Sequence, residues 1–244
     1  MLYVIGDIHG QLAQLDRALA LVEADGGPDA QVVFLGDYTD RGPDSKGVID
    51  RLMMGLDAGR NWTCIKGNHD RMFEWFMESH PRFDTHLPIE LTWLHQRLGG
   101  LTTLASYGVS VDDGLRLSAV HAEAIQKVPP SHIEFLKNNQ LTYQTDELFI
   151  AHAGVRPGIA LDEQTEHDLL WIRQEFINDT RTHPKLIVHG HTAVKTPEHR
   201  GNRVNLDGGA GYGADLWPAR FDGADCTLLT DNGPRTLNPS GSPQ

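Results

Sequence analysis

Short apolar runs and amphipathic stretches alternate along the first part of the chain. Leu2–Ile5 is an unbroken apolar run and reads as a buried strand. From Leu12 the apolar residues recur at helical spacing (Leu12, Leu15, Leu19, Val22), and the pattern stops near Gly26-Gly27-Pro28. Val32–Leu35 is a second apolar run. Strand, helix and strand in that order predict parallel strands joined by a right-handed crossover. A second helix is expected from about Ser45 to Ala58, with Val48, Leu52 and Leu56 on its apolar face and Gly59 as its stop, followed by a third strand over Trp62–Ile65.

From Met72 to about Asp146 the pattern turns helical and irregular. Phe73, Trp75, Phe76, Trp93 and Leu94 supply bulk, and Pro81, Pro88, Gly99-Gly100 and Pro129-Pro130 interrupt. Ser131 with Glu134 fits a capping box. Residues 72–146 thus read as a mainly helical cap inserted over a sheet edge, inside one domain covering 1–235. Leu148–Ala151 and Leu186–Val188 read as further strands around a helix expected over Glu163–Ile177. Arg203–Leu206, Leu216–Phe221 and Thr227–Leu229 read as β-structure, with a hairpin turn at Asp222-Gly223. Pro218 is expected to put its strand at an edge or a bulge. Residues 236–244, rich in Pro, Ser and Gly, read as a flexible tail. The fold class is α/β.

Composition narrows the function classes more than the fold. The chain has 244 residues, 39% of them hydrophobic and 22% charged, which describes an ordinary soluble protein. Its net charge of −12 repels nucleic-acid backbone and anionic lipid, so neither is expected as a partner. A phosphorylated substrate stays open if metal cations reverse the field locally. Cys64 and Cys226 each sit in an apolar run, as buried free thiols do in a reducing compartment. Met1 leads straight into an apolar strand without a basic n-region or a cleavage site, so a cytoplasmic location is expected. Oligomeric state has no signature in the sequence.

The candidate chemistry lies where the strands stop. Five apolar strands end in Asp7 and His9, in Asp37, in Asn68, in His152 and in His191. Carboxylate, amide oxygen and imidazole suit manganese, zinc or iron, and no thiolate is among them. Six ligands exceed what one catalytic ion with open positions needs, whereas two ions sharing a carboxylate use them naturally. Any one of these histidines alone would more often be a satisfied core residue. Repetition at five strand ends favours the metal.

The motifs GDIHG (Gly6–Gly10), GDYTDRG (Gly36–Gly42), GNHD (Gly67–Asp70), HAG (His152–Gly154) and GHT (Gly190–Thr192) resemble those of the calcineurin-like metallophosphoesterases. Within that family the likeness is to bacterial and phage serine/threonine phosphoprotein phosphatases, and it extends to LLWIRQEF (Leu169–Phe176) and VNLDGGA (Val204–Ala210). The resemblance implies a β-sandwich flanked by helices and two divalent metal ions, manganese first, with iron, zinc or magnesium as alternatives. Asp7 and His9 would hold the first ion, Asp37 would bridge, and Asn68, His152 and His191 would hold the second. Arg41 and Arg173 would clamp the phosphate oxygens. His69, oriented by Asp40, would protonate the leaving group after in-line attack by a bridging hydroxide. The implied substrate is phosphoserine or phosphothreonine in proteins, with phosphotyrosine a further one. The alternative is a dinucleoside polyphosphate, as for the symmetrical diadenosine tetraphosphate hydrolases, which share the GDIHG-, GNHD- and HAG-type motifs. A regulatory module that binds a phosphorylated partner without turnover is disfavoured, because no ligand of the pattern is missing.

Several residues are set aside. His189 falls outside the Gly-His pair that His191 completes. His86 reads as a surface residue and His167 as a solvated helix face. The Gly208–Gly213 run lacks the Gly-Lys-Ser/Thr ending of a phosphate loop and reads as a tight turn.

Overall fold

The computed structural model describes residues 1–88, 90–112 and 114–240. The chain runs through β1 (Leu2–Ile5), α1 (Leu12–Gly26), β2 (Val32–Phe34), α2 (Ser45–Asp57), β3 (Trp62–Cys64) and α3 (Asn68–Phe76). Then come α4 (Gly100–Ser106), α5 (Leu117–Lys127), α6 (Pro130–Asn138), β4 (Thr142–Gln144), β5 (Leu148–Ala151), α7 (Glu166–Trp171), α8 (Gln174–Ile177) and β6 (Leu186–His189). β7 (Glu198–His199), β8 (Arg203–Asn205), β9 (Pro218–Asp222), β10 (Asp225–Leu228) and β11 (Arg235–Thr236) complete it.

The strands form two mixed sheets, ordered β11-β10-β9-β1-β2-β3 and β4-β5-β6-β8-β7. β1, β2 and β3 are parallel, as are β5, β6 and β8, so each sheet brings several carboxyl ends to one edge. Side chains alternate across each strand. Val4, Val33, Ile150 and Val188 face the space between the sheets, together with Phe221 and Leu228. Tyr3, Ile5, Val32 and Phe34 face the other way, onto Leu15, Leu19, Val48 and Leu52 of α1 and α2. On the second sheet Phe149 and Ile187 pack outward against Leu169, Ile172 and Phe176. The result is helix, sheet, sheet, helix, an α/β sandwich flanked by helices as expected.

Several local expectations are corrected. The helix expected over Glu163–Ile177 is two short ones, broken where Ile172 is extended at ψ 140° and Arg173 has φ −131° and ψ −98°. The break lets Ile172 enter the same cluster as Leu169 and Phe176. Ser131 and Glu134 form no capping box, because α6 begins at Pro130 with the proline ring setting the first turn. Pro218 does not sit on an edge, since β9 pairs with both β1 and β10. It occupies the first position of the strand, where a missing N–H costs little. The stretch read as a helical cap ends in a strand, β4, that lines the edge of the second sheet. Residues 236–240, read as part of a flexible tail, are held: Leu237 donates to the Cys226 carbonyl and Ser240 to the His199 carbonyl, both at 2.8 Å. The remainder of that tail, 241–244, lies outside the described residues. Among the described residues no helix is long and apolar enough to cross a membrane.

Candidate metal centre

The strand-end residues converge on one edge of the sandwich, and the backbone pays for it in strain. Among the described residues the non-glycine positions with φ in the left-handed region are His9 (48°), Asp37 (51°), Asp40 (74°), Arg41 (65°) and His191 (63°). Every one is a candidate site residue. Such conformations persist only where the surroundings over-determine them, and they cluster at functional sites. His191 shows what the strain achieves. Residues two apart on a strand share a face, so a regular β6 would have carried it outward beside His189. The strand instead stops at His189, whose ring meets Phe176 edge-on at 5.0 Å, and the left-handed turn redirects His191 to the centre. Two glycines let backbone approach the carboxylates: a Cβ on Gly190 would overlap Asp7 Oδ1, and one on Gly67 would overlap Asp37 Oδ1.

Two groups of donors form around Asp37. One is His9, Asp37 and His69, the other Asp37, His152 and His191, with the ligand atoms of each group within 4.8 Å of one another. The carboxylate of Asp37 is common to both. His9 Nε2 lies 3.4 Å from Asp37 Oδ2, and His152 Nε2 lies 3.5 Å from Oδ1. Asn68 places Oδ1 at 2.9 Å from His152 Nε2 and 2.8 Å from His191 Nδ1. Asp7 joins through its Oδ2, which accepts the His191 amide at 2.9 Å. All six candidate ligands are thus together, and the unexpected addition is His69 in the first group.

The donor set fits cations. His152 gives its Nδ1 proton to the Leu35 carbonyl at 2.8 Å, so in the neutral ring the bare Nε2 faces Asn68 Oδ1, acceptor against acceptor. His9 likewise donates Nδ1–H to the Thr39 carbonyl at 2.8 Å and turns a bare Nε2 inward. Asp7 Oδ1 and His191 Nε2 are buried with no hydrogen-bond partner among the described residues. Leaving such atoms unpaired is costly, and a divalent ion relieves each of them at once. The electrostatics agree. Burial, with Asp207 and Asp37 nearby, pushes the Asp7 carboxyl well above the usual range. Burial, with Arg41 nearby for His9 and His152 nearby for His191, holds both rings well below the ordinary histidine value. Burial alone would raise the Asp37 carboxyl too, but the surrounding His152, His69, His9 and His191 hold it below its ordinary value.

The candidate proton-transfer pair lies beside the first group. His69 Nδ1 contacts Asp40 Oδ2 at 2.6 Å, and Asp40 also accepts from Trp93 Nε1 at 2.8 Å and Thr103 Oγ1 at 2.7 Å. Asp40 is therefore fixed by two residues of the stretch after α3, which sequence reasoning did not single out. Arg41 reaches between the rings, donating to His9 Nε2 through Nη1 and to His69 Nε2 through Nη2, the latter at 2.9 Å. Arg173 stands at the rim, its Nη1 3.3 Å from the His191 carbonyl. Asp70 was also missed. Its carboxylate takes the amides of Tyr38 (2.9 Å) and Gly67 (3.0 Å), pinning the loop after β2 to the start of α3, and burial pushes it up to about 8. Tyr212 comes to the site indirectly, its ring 4.7 Å from the Arg41 guanidinium. Asp207 is buried nearby and accepts the Gly209 amide at 3.0 Å.

Comparison with known proteins agrees with this arrangement. A model of the calcineurin-like phosphoesterase family matches residues 1–217. A bis(5'-nucleosyl)-tetraphosphatase PrpE [asymmetrical] from Oceanobacillus iheyensis is 28% identical, over 89% of this chain and 87% of its own. The protein of that name from Anoxybacillus flavithermus is 26% identical over 91% of each. Among solved structures, a putative diadenosine tetraphosphatase superposes with a TM-score of 0.59 at 19% identity, covering 99% of this chain and 94% of its own. A cold-active protein-tyrosine phosphatase of a psychrophilic Shewanella gives 0.60 at 16% identity, covering 97% and 80%. At those identities the structural matches speak to the fold alone. The expected membership of the calcineurin-like metallophosphoesterases is thus shown, and these relatives carry the name of a dinucleotide hydrolase, of the asymmetrical rather than the symmetrical kind.

Proposed function

This chain belongs to the calcineurin-like phosphoesterase family, and from that premise we propose that it is a metal-dependent hydrolase of dinucleoside polyphosphates. The observation that carries the substrate class is the correspondence, over about nine-tenths of the chain, with relatives named bis(5'-nucleosyl)-tetraphosphatase. The GDIHG-, GNHD- and HAG-type motifs are common to both substrate classes and do not separate them; the Leu169–Phe176 stretch is what leaned towards a phosphoprotein, and the named relatives outweigh it.

In this reading Asp7, His9 and Asp37 would hold one divalent ion, and Asp37, Asn68, His152 and His191 would hold the other. When bound, the ions supply Lewis-acid polarisation of the phosphate and activation of water. The protein's own contribution is orientation. Asp40, held by Trp93 and Thr103, fixes the His69 ring through Nδ1; its Nε2, which accepts from Arg41 here, would be protonated and give that proton to the departing oxygen once Arg41 turns away. Arg41 cannot share the His9 lone pair with a metal ion, so its guanidinium is free to turn to phosphate once that position is filled. Arg173 approaches the same phosphate from the rim. A departing nucleoside polyphosphate is a far weaker base than an alkoxide, so His69 matters less here than it would for a phosphoserine ester.

The test is a side-by-side assay of a dinucleoside tetraphosphate and a phosphoserine peptide, after chelation and after Mn²⁺ is restored. The expected result is Mn²⁺-dependent turnover of the dinucleotide to a mononucleotide and a nucleoside triphosphate. Preferential turnover of the phosphopeptide would sink the proposal, and two equal diphosphate products would move it to the symmetrical class.

A further inference from the structure

Beside the metal centre lies an aromatic group that the chemistry above does not use. His167 and Trp171 are four residues apart and so share a face of α7. The loop after α3 lays His86 across them, with ring centroids 3.9 Å from His167 at 37° and 5.4 Å from Trp171 at 30°. Trp171 in turn meets His191 edge-on at 5.9 Å, so the three rings form a wall that begins at a candidate metal ligand. The wall is built to hold position. Asp84 is buried beneath it and accepts from the His86 ring at 2.6 Å, the His86 amide at 3.0 Å, Trp171 Nε1 at 3.2 Å and Arg71 Nη2 at 2.9 Å.

Resting on the dinucleotide reading above, we infer that this wall stacks the nucleobase next to the reacting phosphate and so selects nucleotides over simple phosphoesters. Exposure separates it from ordinary core packing. The stacked rings of Phe73 and Trp93, 5.2 Å apart at 19°, are sealed in the core, whereas His86 and His167 are exposed residues. Every base has a π-face, and an exposed ring stack accepts it with little dependence on sequence. A phosphoserine or an inorganic phosphate has no planar group to offer there. The acidic net charge of the chain does not oppose such binding, because stacking needs no cation.

The experiment measures KM for a dinucleoside tetraphosphate and Ki for inorganic phosphate, both with Mn²⁺, in wild type, His167→Ala, His167→Phe and the His86→Ala/His167→Ala pair. The double variant is expected to raise KM about tenfold with Ki for phosphate unchanged, and His167→Phe to stay near wild type because it keeps a ring. An unchanged KM in the double variant overturns the wall and leaves the substrate reading intact. A parallel rise in Ki for phosphate also overturns it, showing that the rings only support the metal centre. A wild type that turns over no dinucleotide overturns the substrate reading and this inference with it.

Discussion

Two buried polar clusters adjoin in this protein, and their carboxylates differ in how their lone pairs are met. Around Asp84 four donors converge on two oxygens, so the buried charge is matched by hydrogen bonds from the protein alone. Around Asp37, whose Oδ1 takes one amide from His69 at 2.9 Å, the protein otherwise sets acceptors against acceptors: Asn68 Oδ1 faces His152 Nε2, while Asp7 Oδ1 and His191 Nε2 have no partner among the described residues. Both carboxylates are buried and both have imidazole beside them, although the His86 ring at Asp84 is partly exposed. Burial and composition therefore do not distinguish a structural cluster from a metal centre, but counting protons does. A cluster that lacks donors for its lone pairs is waiting for a cation, and one that has them is a brace.

Replacing Asp37 with Asn should have the largest effect, because it removes the shared charge from both donor groups. Turnover is expected to fall on the order of a thousandfold. In wild type, saturating Mn²⁺ should raise the melting temperature by roughly 5–10 °C, and Asp37→Asn should lose most of that rise while melting near wild type in chelator. A variant that keeps both the rise and the turnover would show that Asp37 bridges nothing.

Asp84→Ala should invert the pattern. It leaves Arg71, which is 5% exposed, with the long 3.4 Å contact to Glu166 as its ion pair, so a destabilisation of about 3 kcal/mol is expected in urea unfolding. The Mn²⁺-induced rise in melting temperature should survive. If that rise vanished, the two clusters would not be separable and the brace would be part of the metal centre.

The smallest effect is on pH dependence. Burial pushes the Asp84 carboxyl up, but the His86 amide, Arg71 and the His86 ring outweigh it and hold it below its ordinary value of 3.8. Because the folded value is depressed, the unfolded chain binds the proton more readily, and the stabilisation is present above the unfolded value and lost as pH falls through the folded one. The stability gap between wild type and Asp84→Asn should thus be constant above about pH 5 and shrink in stronger acid. A gap that widened on acidification would mean that this carboxylate is not held by its donors.

Much of the layout was legible in the residues because its causes are local. An apolar run such as Val32–Leu35 and its glycine stop are visible without any neighbour, and so are the ligand types that follow each stop. Helix placement in the first part was accessible for the same reason, since Leu12, Leu15, Leu19 and Val22 state their own face. Where the reading failed, the deciding partner was distant. The break at Ile172 and Arg173 exists because Ile172 enters a cluster with Phe149 and Ile187 of the second sheet. Leu237 and Ser240 are held by the carbonyls of Cys226 and His199. Pro218 lies within the sheet because β10 returns alongside it.

What the sequence by itself determined is the inventory of donors and their place at the ends of strands, because residue type and strand termination are properties of short stretches. What only the tertiary structure decided is which lone pairs meet protons. That depends on the left-handed turns at His9, Asp37 and His191, on Trp93 and Thr103 reaching Asp40, and on the loop that carries His86 over α7. Hydrogen bonds act over about 3 Å between groups far apart in the chain, so no reading of spacing could have assigned them.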